Sequence, residues 1–282
     1  MVTTVGSATR RSLDRGVTLR TLLRAAEMAI GAILFIIILE VVLRFDILDS
    51  TLWGLYGPYY FVTGVLGTLQ YIAIIIPLSV AVGFSVGWAR LSRLRVVTWP
   101  LSVYVDFFRG VPPIIIVIFA SLLGPSLVPA RFHSKDLGIL MAALALSLHS
   151  GAYQSEIFRA GFMSVPTGQL EAAQSLGMTR GQSMQFVVLP QALRLSVPPL
   201  ANELAVVIKD TSLLAIIGAL DLFGLSNVFT QQAVFGSNQL WWVFVVWTAV
   251  ALVYFVMTFS VTELLNWVDR RYHVKGLEAI SA

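Results

Sequence analysis

The chain has 282 residues, of which 57% are hydrophobic and 12% charged, with a net charge of +4 and a mean hydropathy of +0.82. A water-soluble domain carries roughly twice that share of charge, and the absence of cysteine excludes disulfides, thiolate metal sites and cysteine catalysis. The pI near 9.6 calls for no nucleic acid, because the arginines are spread between apolar runs where lipid headgroups meet them.

Crossing about 30 Å of hydrocarbon takes about 20 helical residues. Apolar runs of that order fall at Ala25 to Leu43, Val62 to Trp88, Val111 to Val128, Leu137 to Phe158, Leu195 to Leu220 and Leu240 to Leu264. Six spans are expected, all helical because backbone groups in lipid must bond within their own segment. The fold class is therefore an all-α, polytopic membrane protein. In the first span Glu27 and Glu40 bracket the uninterrupted apolar run from Met28 to Leu39. Its arginine-rich leader resembles a secretory signal, but Arg44-Phe45-Asp46 follows and no small-x-small cleavage site closes it, so an uncleaved span is expected.

Charge orients the spans. Arg10, Arg11, Arg15, Arg20 and Arg24 precede the first, and Arg90, Arg93, Arg95 and Arg109 lie between the second and third. Arg159, Arg180 and Arg194 flank the loop after the fourth, and Arg270, Arg271 and Lys275 lie in the tail. The other side holds Arg44, Arg131 and Lys135 beside Asp46, Asp49, Asp136 and Asp221. The positive-inside rule then puts both termini in the cytoplasm. The expected organisation is a cytoplasmic segment 1–24, an additional N-terminal helix and external loop 25–61, a transmembrane domain 62–268 with a cytoplasmic loop 162–192, and a cytoplasmic tail 269–282.

Three stretches precede the loop's own motif. Gly64-Val65-Leu66-Gly67-Thr68-Leu69-Gln70 opens the second span. In Asp106-Phe107-Phe108-Arg109-Gly110-Val111-Pro112-Pro113, Arg109 anchors a helix start whose first turn holds the prolines, where absent amide donors cost nothing. Interfacial anchoring accounts for this stretch as well as a transport role does. Gly151 to Gly161 carries Glu156 and Arg159 at i, i+3, an ordinary helix pair. His133, His149 and His273 have no metal-ligand spacing, and His149 reads as a packed, hydrogen-bonded side chain.

The loop carries the strongest signal. Pro166 and Gly168 open a short helix, with Leu170, Ala173 and Leu176 on one face, and Gly177 is expected to end it at positive φ. Thr179 and Gln182 form a capping box for a second short helix, expected to stop before Pro190. Glu171-Ala172-Ala173, then Gly177, then Val187, Leu189 and Pro190 match the loop of ATP-binding-cassette importer permeases at every fixed position, and the stretch resembles that family. The earlier motifs resemble its branch for polar amino acids.

In the fifth span Asn202, Glu203, Lys209, Asp210, Thr211 and Ser212 interrupt an apolar helix. At 100° per residue the first four share about a third of the circumference, and Lys209 stands near mid-depth. Charges there are costly and by default mark an interior pathway; a Lys beside an Asp suits the two charges of a zwitterion. An ion pair that only fixes packing is the other reading. The Lys-Asp-Thr-Ser-Leu stretch is similar in the polar-amino-acid permeases, which favours the pathway.

The only lysines are Lys135, Lys209 and Lys275, and none follows a phosphate-binding glycine loop. An ATPase site in this chain is not expected. The resemblance, over about Val62 to Val274, implies a five-helix importer core plus the extra N-terminal helix, in the cytoplasmic membrane of a prokaryote. It implies that no cofactor is bound by this chain, with ATP and Mg held by partner ATPase subunits. It implies a second permease subunit, identical or paralogous, and an extracytoplasmic solute-binding protein. Glu171, Ala172, Ala173, Gly177, Leu189 and Pro190 would couple to the ATPase, and the six polar residues of the fifth span would line the path of a polar amino acid or close analogue. An ion-coupled secondary transporter would carry an internal repeat, and none is seen; a structural subunit of a membrane complex would not need the loop motif.

Overall fold

The structure, a computed structural model, describes residues 46–237 and 240–272, together with Leu23 and most of 26–41. Regular structure among the described residues is entirely helical. Three helices are long and apolar enough to cross a membrane, Ser50–Ala89, Leu137–Met163 and Leu240–Val268. Two bent pairs, Arg95–Gly110 with Pro113–Leu127 (107°) and Arg180–Ile217 with Leu222–Ala233 (49°), bring the number to five if each pair is one span. Of the expected first span, Ala25 to Leu43, the stretch Ala26–Ile38 is helical, and the rest lies largely outside the described residues.

Helix α1 (Ser50–Tyr56) begins at Asp49, whose Oδ1 accepts the amides of Thr51 and Leu52 at 2.7 and 3.2 Å. It passes through a π-helical turn, Gly57–Phe61, into α2 (Val62–Ala89), so the second span starts a dozen residues earlier than its apolar run. Helix α3 (Arg95–Gly110) occupies what reads as an arginine-bearing loop. Its alternating polar and apolar residues make an amphipathic helix rather than a continuous apolar run. Extended Val111 and Pro112 separate it from α4 (Pro113–Leu123), because two prolines in succession cannot continue the hydrogen-bond ladder.

Helix α5 (Leu137–Met163) is central, packed on α2, α3 and α4. The loop contributes α6 (Thr167–Ser175) and α7 (Arg180–Ser183). Helix α7 ends before Pro190 as expected, but no loop follows it: a π-helical turn, Met184–Val188, runs straight into α8 (Leu189–Asp210). Pro190 sits in the first turn of α8, where its missing amide is not needed. The expected fifth span is not one α-helix: a 3₁₀ segment, Thr211–Ile217, closes on Gly218 at φ 88°. Helix α9 (Leu222–Ser237) has no counterpart among the expected spans, since its polar Ser226, Asn227, Gln231 and Gln232 break the apolar run. Helix α10 (Leu240–Tyr272) packs along α8 and α9.

Close backbone approach explains several glycines. A Cβ on Gly83 would stand 2.6 Å from Gln154 Cβ, and one on Gly64 would stand 2.7 Å from Leu222 Cα. Without the large driving force that water gives apolar surfaces, helices in lipid associate through this kind of small-residue packing. Asp221, expected among the outer loop charges, is fully buried. Its Oδ1 accepts the Gly224 amide at 2.8 Å and its Oδ2 the Tyr254 hydroxyl at 3.2 Å. The neighbouring Leu222 amide donates to Thr68 Oγ1 at 3.0 Å. The turn before α9 is thereby tied to α2 and α10.

Candidate functional site

The loop between α5 and α8 is a built element. Beyond Ser175, the amide of Gly177 donates to Gln174 O at 2.9 Å and that of Met178 to Ala173 O at 3.2 Å. This pattern turns the chain out of the helix through the left-handed region, and Gly177 has φ 86°. Open space surrounds it, so backbone conformation rather than crowding calls for glycine. Thr179 Oγ1 then accepts the Gln182 amide at 3.3 Å while Gln182 Oε1 accepts the Thr179 amide at 2.9 Å, the expected capping box.

The pair of short helices sits on a cluster formed by Phe158, Phe162, Val165, Val188 and Ala192, with Leu170, Met184 and Leu189 against it. Ala173 is buried, and Glu171 and Ala172 are exposed. Leu176 does not share the face of Leu170 and Ala173. The helix ends one residue earlier, and Leu176 is left 85% exposed. Gly177 and Pro190 are also exposed, and Leu189 is half-buried.

Under this element lies an ion cluster only half visible in the sequence. Glu156 Oε2 accepts Arg159 Nη2 at 2.8 Å and Nε at 3.0 Å, and its Oε1 takes Arg90 Nη1 from the end of α2. Arg90 and Glu156 side chains are 11% and 23% exposed. One carboxylate therefore joins α2 to α5 beside the loop. The separation of 66 positions hides that bond from any local pattern.

The six polar residues of the expected fifth span divide. Asn202 and Lys209 are exposed, and Glu203, Asp210 and Ser212 are half-buried. Glu203 and Asp210, seven positions apart, lie on one side of α8. Among the described residues Lys209 makes no ion pair with Asp210. Thr211 is buried and donates to Ile208 O at 2.7 Å, and Ser212 donates to Lys209 O at 2.7 Å, so both hydroxyls are engaged by their own helix. The open polar surface is thus Asn202, Glu203, Lys209 and Asp210. His149 is buried as expected, but its Nδ1 has no hydrogen-bond partner.

Comparison with known proteins supplies the context for this arrangement. Residues 76–274 match the family described as binding-protein-dependent transport system inner membrane component. The L-cystine transport system permease protein TcyB of Bacillus subtilis is 33% identical over 227 residues, 80% of this chain and 90% of that protein. The glutamate/aspartate import permease protein GltK of Escherichia coli O157:H7 is 31% identical over 215 residues, 75% and 93% of the two chains. A solved amino acid ABC transporter, crystallised with histidines, superposes at a TM-score of 0.66 with 28% identity, covering 80% of this chain and 99% of its own.

Proposed function

The chain belongs to the family of inner membrane components of binding-protein-dependent transport systems, and from that premise we propose that it carries a polar amino acid or close analogue across the cytoplasmic membrane. It works with two ATPase subunits, a second permease subunit and an extracytoplasmic solute-binding protein. The chain supplies the passage, and ATP is bound and hydrolysed by its partners, with both of its termini on their side of the membrane.

The observation that carries this reading is the stance of α6. Leu170 roots it against the Phe158–Phe162–Val188 cluster and Ala173 is buried, while Glu171, Ala172 and Leu176 remain on the outside. A short helix fixed on one side and bare on the other suits a groove on a second protein. Motion of that protein would reach α5 and α8 through the shared cluster, moving packed helices as bodies. Asn202, Glu203, Lys209 and Asp210 offer charges of both signs in a helix otherwise made for lipid, which supports a path for zwitterions.

The test is uptake of L-cystine, L-glutamine and L-glutamate by proteoliposomes holding the chain with its ATPase and binding protein. Uptake that requires both ATP and the binding protein is expected. Uptake that persists without ATP and follows an ion gradient would overturn the proposal in favour of a secondary transporter.

A further inference from the structure

We propose that Arg109, laid over the ring of Tyr153 at the break between α3 and α4, is a carboxylate-binding subsite of the transport path. This rests on the reading above and adds a residue and a chemistry to it. The guanidinium carbon lies 5.4 Å from the Tyr153 ring centroid, and the Tyr153 hydroxyl donates to the Arg109 carbonyl at 3.3 Å. Backbone and side chain of Arg109 are thus both held by one tyrosine. Tyr153 is in turn packed by buried His149, ring centroids 5.2 Å apart, and the next turn of α3 is fixed by Tyr104 donating to Leu148 O at 2.6 Å.

What is held this firmly is not used up. Arg109 is exposed, and among the described residues its guanidinium makes no hydrogen bond and no ion pair, even with exposed Asp106 one turn earlier. A guanidinium held over an aromatic ring, with no hydrogen-bond acceptor of its own, has its N–H groups left to bind a two-pronged oxyanion. Asp106, of opposite charge on the same side of α3, leaves a place for an ammonium beside that oxyanion. The pair matches the head group common to all α-amino acids.

The surroundings favour cargo over lipid. Extended Val111 and Pro112 separate α3 from α4 at a bend of 107°, and where such a pair forms one span, the break is tolerated in lipid if it lines a cavity or is buried in protein. One turn into α4, Val117 packs with Leu146 and with Val207 of α8, which lies between Glu203 and Asp210 in sequence. The break and the acidic side of α8 therefore flank one apolar cluster. A lipid phosphodiester shares the oxyanion chemistry and is the competing ligand.

The two sources separate by direct binding. The permease–ATPase complex, without binding protein, is placed in nanodiscs of phosphatidylcholine or of phosphatidylcholine with phosphatidylglycerol. Radiolabelled L-glutamine, L-glutamate and L-cystine are titrated against wild type, Arg109→Gln and Arg109→Lys, with the α-amide of each bound amino acid as competitor. Wild type should prefer the free acid over the α-amide by about tenfold or more, the worth of one charge-assisted contact. Arg109→Gln should lose that preference in both lipids, and Arg109→Lys should keep part of it. Unchanged discrimination in Arg109→Gln, no binding to wild type, or an effect confined to the anionic nanodiscs would overturn the subsite. Binding-protein-dependent uptake by the same wild-type complex reports separately on the transport reading, so either can fail alone.

Discussion

Gly83 of α2 and Gln154 of α5 meet with no room for a side chain on the glycine, and one turn earlier Ser79 Oγ accepts Gln154 Nε2 at 2.9 Å. The polar bond and the small residue act together: the bond fixes the register of the two helices, and the missing side chain lets them come close enough to make it. Gly87 repeats the arrangement against the Ser155 carbonyl, 2.7 Å from where its Cβ would be.

Gly83→Val should therefore force α2 and α5 apart. Overpacking of a close helix pair costs about 1–3 kcal/mol, and the obstruction here includes backbone, which cannot rotate away. A lower midpoint of thermal unfolding in detergent is expected, together with weaker assembly. A variant as stable as wild type would mean that α2 and α5 can separate without loss.

Removing the carboxylate of Glu156 leaves Arg90 largely buried without its partner. Glu156→Ala should destabilise by about 3 kcal/mol, the lower end for breaking a buried ion pair. Arg159→Ala removes a pair that is a third exposed and local to α5, and should cost under about 1 kcal/mol. Thermal unfolding of the two variants should rank them in that order. The reverse order would show that the α2 bond carries no weight.

Gly177→Val sets a β-branched residue in the left-handed region, at about 1–2 kcal/mol of local strain. Nothing around it would clash. The expected result is a normal amount of protein in the membrane with uptake abolished, because the exit from α6 is redirected while the spans are untouched. Normal uptake would disconnect this turn from coupling.

Lys209→Met and Asp210→Asn test the open polar side of α8. Neither residue is in an ion pair among the described residues, so neither change should lower thermal stability. Each should raise the KM of uptake by about tenfold if the charges meet cargo. Unchanged KM and substrate range in both variants would remove them from the path.

Features that are local in sequence were legible in advance. The capping box at Thr179 and Gln182, the positive φ of Gly177 and the pairing of Glu156 with Arg159 each involve residues within four positions, where helix geometry alone decides who meets whom. The family's loop motif added its placement. Features created by folding were not. Glu156 finds Arg90 across 66 positions, and Asp221 is buried by Tyr254 and the turn around Gly224 rather than by anything adjacent to it. Helices α3 and α9 escaped an apolar-run reading for a different reason. Both carry enough polar residues to break the apolar run that marks a span.

The knot of Thr68, Leu222, Asp221 and Tyr254 would serve as a fulcrum for the motion proposed above. It fastens α2, the turn before α9 and α10 at one height, and along α2 it stands about 33 Å from Arg90, at the helical rise of about 1.5 Å per residue. With that height held, a tilt of about 5° carries the α6 end sideways by about 3 Å over the same arm. If a partner pushes on the nine-residue α6 as proposed, the spans would turn about this knot, and its stiffness would set how much of the push arrives as their movement.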